Sequence, residues 1–244
     1  MWIPRWLGGA YSKLYVAYQD DVFTFNDACE VLSLNQEMMK VVLSGLHRKG
    51  VLAIFSKGRP RMYRLVTPDV FILIASGKIN RLELKQERYL SPVYNCFLQL
   101  DDMLRLTSFA VYGSVARGTA SANSDVDFIV VSQDFAGSLA ERIDSLTKVR
   151  FNLQDDLSLL RRHGANTSLS FYPLREEEVE RLPIILLDVM EEAKIVYDNE
   201  GFLKGNLTRL RLKLAELGAK RVPLRKGWYW DLKPDHKPLE VINL

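Results

Sequence analysis

Apolar positions recur at helical spacing over Ser12 to Tyr18, Thr24 to Leu32 and Asn35 to Lys49. Thr24 or Asn26 suits the N-cap of the second segment and Asn35 that of the third. The third carries Met38, Met39, Val42, Leu43 and Leu46 on one stripe and stops at Gly50, a residue suited to a helix C-terminus. The period then changes. Val51 to Phe55 reads as a strand, Ser56 to Pro60 as a turn, and Arg61 to Val66 as a second strand. The Met38/Met39 pair and the aromatics Phe23 and Phe25 are expected in the core.

Helix, helix, helix and a hairpin with a basic tip is the order of a winged helix-turn-helix. There the third helix enters a DNA major groove and the hairpin lies along the backbone. On this reading Gln36, Lys40 and His47 sit on the exposed side of the recognition helix, and Lys57, Arg59 and Arg61 reach phosphates from the wing. Use of the same module for protein contact or dimerisation stays open.

Thr67-Pro68 marks a break. Asp69 to Gly77 reads as a helix, and Leu82 to Leu106 as a long helix or helix pair interrupted near Ser91-Pro92. Strand, helix and strand follow around Phe109 to Tyr112 and Phe128 to Val131. Leu139 to Leu160 is helical, Ser168 to Tyr172 a short strand, Glu176 the start of an acidic helix, and Ile184 to Ala193 a strongly apolar one. Ile195 to Asp198 is a last strand, Leu203 to Leu217 a basic amphipathic helix, and Trp228 to Pro234 an extended, aromatic cap. The expected class is α/β (α+β): an N-terminal winged helix followed by a mixed sheet flanked by helices. The expected divisions are 1–68, a helical linker 69–106, a catalytic core 107–203, and a basic helix with tail 204–244.

Residues 113 to 127 read GSVARGTASANSDVD between two apolar strands. Glycine at 113 lets backbone approach a bulky anion. Asp125 and Asp127 are two residues apart at a strand start, so both project from one face. Carboxylates held side by side repel unless a cation lies between them, and Mg²⁺ prefers oxygen ligands. The string Gly113-Ser114, Arg117-Gly118, Ser124-Asp125-x-Asp127 resembles the signature of the DNA polymerase β-type nucleotidyltransferases, closest to small stand-alone members from archaea and bacteria. Leu186-Leu187-Asp188 through Phe202 resembles the closing helix and strand of such domains.

The resemblance implies that Gly113 and Ser114 grip a nucleoside triphosphate while Asp125 and Asp127 hold catalytic Mg²⁺. Arg117, one turn into the following helix, is expected to add positive charge there, and Ser124, just before Asp125, to cap or orient the carboxylates. A third carboxylate is implied on a later strand, yet that strand reads Thr167-Ser168-Leu169-Ser170-Phe171-Tyr172. Serines stand where the acid belongs; the nearest acids are Asp155, Asp156 and Glu176 to Glu178. Asp188 and Asp198 read as helix-face and strand-end residues.

Composition adds little except charge placement. The chain has 244 residues, net charge +3, 48% hydrophobic residues, and two cysteines, Cys29 and Cys96, that fall in apolar helical patterns. No run of about twenty apolar residues suggests a membrane span, and the N-terminus is too broken for a secretory signal, so a cytoplasmic protein is expected. Basic residues cluster between Met38 and Pro68 and again from Lys204 to Lys226, which points to polyanion contact. Three readings stay open. The chain is an Mg²⁺-dependent nucleotidyltransferase acting on an unidentified acceptor, a nucleotide-sensing regulator that binds double-stranded DNA, or an antitoxin-like protein-binding partner. A homodimer is compatible with each.

Overall fold

The computed structural model describes residues 3–224 and 227–236. In the N-terminal region, helices α1 (Arg5–Tyr18), α2 (Phe25–Leu32) and α3 (Gln36–Arg48) pack against a small antiparallel sheet. Its strands β1 (Phe23–Thr24), β2 (Leu52–Ser56) and β3 (Met62–Leu65) lie in the order β1-β3-β2. Local chemistry starts α2 and α3. Thr24 accepts from the Asp27 N–H while the Asp27 carboxylate accepts from the Thr24 N–H, and Asn35 Oδ1 accepts from Met38 N–H at 2.9 Å. Met39 and Phe23 are buried as expected, whereas Met38 is half exposed.

The segment expected to break near Ser91-Pro92 does not. After α4 (Pro68–Ser76) the chain runs irregularly, and α5 (Leu90–Met103) passes through Pro92 without interruption. Pro92 falls in the first turn, where backbone N–H groups have no intrahelical partner to lose. Ser91, Pro92, Val93, Cys96, Phe97 and Leu100 are buried, and α5 lies against the larger sheet.

That sheet joins β4 (Leu106–Tyr112), β5 (Val126–Ser132), β6 (Leu169–Leu174) and β7 (Lys194–Asp198) in the order β6-β5-β4-β7. β5 and β6 are parallel; β4 is antiparallel to both β5 and β7. Both faces are covered, so the strands read as unbroken apolar runs. On one face Phe97, Phe109, Phe128 and Phe171 form a row with centroid separations of 6.2, 5.1 and 5.6 Å. This face shares one core with the N-terminal helices and with α8 (Thr147–Asn152) and α9 (Gln154–Arg162), which follow α7 (Leu139–Ser145). The opposite face, with Ala110, Ile129 and Val131, is covered by α10 (Glu176–Glu180), α11 (Ile185–Glu192) and α12 (Phe202–Glu216). The one or two helices expected over Leu139 to Leu160 are three short ones.

The continuous core has a charged rivet. Arg64 on β3, 3% exposed, pairs with Asp156 on α9 at 2.6 Å, and its Nε donates to the Asp20 carbonyl. Asn95 of α5 donates to the other Asp156 oxygen. The segment expected to lie as an extended, aromatic cap forms β9 (Gly227–Asp231), which pairs with β8 (Lys220–Leu224) as a hairpin, and Trp230 and Leu232 pack against the core of the opposite face. Among the described residues no helix is long and apolar enough to cross a membrane.

Candidate active site

β4 ends at Tyr112 and the chain turns at Gly113 (φ +71°) into the short helix α6 (Gly113–Arg117). Tyr112 lies opposite Asp127 in the antiparallel register. A side chain at 113 would collide with Asp127 Oδ2, so glycine is required by conformation and by space. The anion that approaches Gly113 is the protein's own carboxylate.

Asp125 and Asp127 share a face with Ile129 and Val131, as strand alternation demands. In the parallel register Asp127 lies opposite Ser170. Ser170 hydrogen-bonds the Asp127 carboxylate, and Ser168 Oγ donates to Asp125 Oδ1 at 2.7 Å. The strand expected to bear the third acid therefore arrives in register and delivers two hydroxyls. Ser124 does not orient the acids. Its Oγ accepts from Ser121 N–H at 2.8 Å and closes the turn over 121–124. Periodicity on β6 carried the signal for Ser168 and Ser170, because both share the parity of an inward acid.

Burial and the nearby Asp125 charge raise the Asp127 pKa; the Ser170 hydrogen bond and Arg117 offset this in part. Tyr112, beside the same carboxylate, is pushed up to about 12 by burial, with Asp127, Asp188 and Tyr172 adding to the effect. Asp188 on α11 thus bears on the same pocket, and no hydrogen bond or ion pair engages it among the described residues. Arg117 pairs with Glu192 of α11, which is nearly buried. Asp198 is occupied elsewhere: it accepts from Ser108 Oγ at 2.6 Å and from the Leu203 and Lys204 N–H groups at the start of α12. Ser114 Oγ has no partner among the described residues.

No cluster of three or more His, Cys, Asp or Glu residues suited to a metal occurs among the described residues. Two carboxylates on one face still match Mg²⁺, which commonly takes one or two protein carboxylates and completes its shell with substrate phosphates and water. The mutual repulsion registered at Asp127 is the charge state that a divalent cation relieves.

The remaining candidates lie in the N-terminal region, away from these acids. Gln36, Lys40, Lys57, Arg59 and Arg61 are exposed. Lys40 pairs with Glu37 at 2.7 Å. His47 is engaged, though its side chain is 42% exposed: its Nε2 lies 2.9 and 3.0 Å from the Glu87 carboxylate oxygens, so it braces α3 against the segment before α5. A contact to DNA would have to displace Glu87, which also accepts from Ile54 N–H at 2.7 Å.

Residues 94–204 match the family described as Nucleotidyltransferase domain. The chain is similar to a protein of Methanocaldococcus jannaschii described as a "putative protein adenylyltransferase". The two are 27% identical over 148 residues, covering 58% of this chain and 95% of the relative. Among solved structures, a toxin-antitoxin crystallised with AMP-PNP and a mutant of the toxin-antitoxin MntA-HpeT each show 19% identity. Each covers 51% of this chain and 91% of the solved one at a TM-score of 0.32, too low to carry an argument.

Proposed function

We propose that the chain is an Mg²⁺-dependent nucleotidyltransferase that moves a nucleoside monophosphate from a triphosphate to an acceptor hydroxyl. The observation that carries this reading is the Asp125–Asp127 pair, held against Gly113 with only hydroxyls and a shared arginine to offset its charge. Asp125 and Asp127 would hold the metal, which supplies electrostatic stabilisation of the phosphates and of the leaving pyrophosphate. The Gly113 backbone and the unpartnered Ser114 hydroxyl would bind β- and γ-phosphate oxygens. Ser168 and Ser170 fix the carboxylate rotamers. Arg117, tethered by Glu192, adds positive charge at the same pocket.

The acceptor oxygen attacks the α-phosphorus, its bond to phosphorus forms, and the bond to the bridging oxygen of pyrophosphate breaks. With serines in place of the third acid, proton removal rests on Asp127, Asp188 or water, so turnover is expected to be slow. The match to an adenylyltransferase favours ATP as donor and a protein hydroxyl as acceptor. Incubation with the four α-labelled nucleoside triphosphates, Mg²⁺ and fractionated protein and RNA tests this reading. Label transferred from ATP to a protein fraction supports it; no label in any fraction above an Asp127→Asn control contradicts it.

A second reading concerns the N-terminal region. The sequence of helices and strands from α1 to β3, and the exposed Lys57, Arg59 and Arg61 at its hairpin, unpaired among the described residues, support a winged helix that contacts nucleic-acid phosphates. Reversal of these three charges with no change in duplex DNA binding would remove it.

A further inference from the structure

We propose a second binding site, for a phosphate-bearing small molecule, in the cavity between β2, residues 85–88 and the end of α9. The cavity has a volume of about 260 Å³, and neither Asp125 nor Asp127 lines it. Its wall presents Lys57, Lys85, Arg88 and His163. None of Lys57, Lys85 and Arg88 has an ion-pair partner among the described residues. One acid, Glu87, also lines it, but both its oxygens are taken by His47, and one also by the Ile54 N–H. Three cationic side chains thus converge on a concavity whose single lining carboxylate is already engaged, which leaves positive potential in excess where an anion would sit.

Shape and surroundings narrow the ligand. The Phe55 ring is buried, and the His163 ring meets it edge-on at 5.1 Å, so the cavity has an apolar floor beneath its basic wall. Ser56 adds a hydroxyl at the rim. A phosphate ester with a small organic part fits that combination and that volume; a nucleic-acid duplex does not enter it. Lys and Arg side chains supply charge-assisted hydrogen bonds to phosphate oxygens.

The site is wired to the signature loop. The Lys85 stem lies so close over Gly118 that a Cβ there would fall 2.5 Å from Lys85 Cβ. Gln86 grips the next turn from both sides, with its Nε2 donating to the Ala120 carbonyl and its Oε1 accepting from the Ala120 N–H. Drawing Lys85 and Arg88 onto a phosphate therefore pulls on the backbone that follows Arg117. The ligand would regulate the Asp125–Asp127 pocket through residues 118–120, yet its binding does not require that pocket to transfer anything.

The test is hydrogen–deuterium exchange of the full chain with pyrophosphate or AMP, in EDTA, for wild type and for Asp125→Asn/Asp127→Asn. Protection of 54–58 and 85–88 in both proteins is expected. Lys85→Gln/Arg88→Gln, checked for an unchanged melting transition, should weaken the affinity by roughly tenfold or more. Protection confined to 113–127, or no protection by either probe, overturns the proposal. So does a duplex oligonucleotide that protects 54–58 and 85–88 when neither small phosphate does; that result would hand these residues to nucleic-acid binding.

Discussion

The two ends of the four-stranded sheet treat acidic residues in opposite ways. At the end where β4 stops and β5 and β6 begin, Asp125 and Asp127 sit together with hydroxyl partners, and Asp127 is pushed above its ordinary range. At the other end Asp134, Glu176, Glu178 and Asp198 are each engaged. Asp134 takes both backbone and side chain of Arg105. Glu176 accepts from Thr107 and Gln133, and Glu178 accepts from Arg142 and Arg175. The Arg142 hydrogen bonds lead in holding the Glu178 pKa down to about 2. One end uses charge to hold the fold; the other stores uncompensated charge, the condition of a site awaiting a cation.

The largest effect should come from the uncompensated end. Asp125→Asn or Asp127→Asn should lower nucleotidyl transfer by about 10³-fold or more, on the order of 4 kcal/mol of barrier, in a label-transfer assay. The folded state should be no less stable for it without metal. At the compensated end, Arg142→Met should cost roughly 3 kcal/mol in urea unfolding, because a nearly buried cation disappears and Glu178 keeps only Arg175. Equal stability of that variant and wild type would erase the contrast between the ends.

The pH dependence should also divide. Glu178 has a lowered folded pKa, so the unfolded chain binds more protons between 4.5 and about 2. Its contribution, on the order of 1–2 kcal/mol after solvent screening, is present above 4.5 and lost as pH falls through that window. Asp127 has a raised folded pKa, so stability falls as pH rises from its ordinary 3.8 through the elevated value, and stays flat above. Asp127→Asn should abolish that second slope and Arg142→Met the first. Ser170→Ala, the mildest change, removes a hydrogen bond that favours the Asp127 anion and should cost under about 1 kcal/mol in metal-free protein.

Much of this contrast was legible in the sequence only where the chemistry is local. Gly113, Asp125 and Asp127 stand in one short strand–helix–strand unit, so spacing alone put both acids on one face. Thr24 and Asn35 as helix caps are local in the same way. Ser168 and Ser170 could be placed on a strand, but their partners depended on the parallel pairing of β5 with β6, which is 43 residues distant along the chain. Ser124 adjoins Asp125 in sequence, yet its hydroxyl closes the 121–124 turn while Ser168, 43 residues away, reaches the carboxylate. His47 and Arg117 have helical positions that look free, yet Glu87 and Glu192 engage them from 40 and 75 residues away. Pro92 reads as a helix breaker until the start of α5 is known. The Arg64–Asp156 rivet, which joins β3 to α9 inside a continuous core, has no local signature at all.

The central claim is that the end of the sheet bearing Asp125 and Asp127 is a metal–nucleotide pocket. Thermal unfolding of wild type and Asp127→Asn, each with and without Mg²⁺ and ATP, tests it most directly. Mg²⁺ with ATP should raise the wild-type midpoint by several degrees, as expected for about 2–3 kcal/mol of ligand stabilisation near a hundredfold excess over Kd. The variant should lose most of that rise, keeping only the part that phosphate binding outside the Asp125–Asp127 pocket confers, while matching or exceeding wild type in metal-free buffer. An equal rise in both proteins, or none in wild type, would contradict the account.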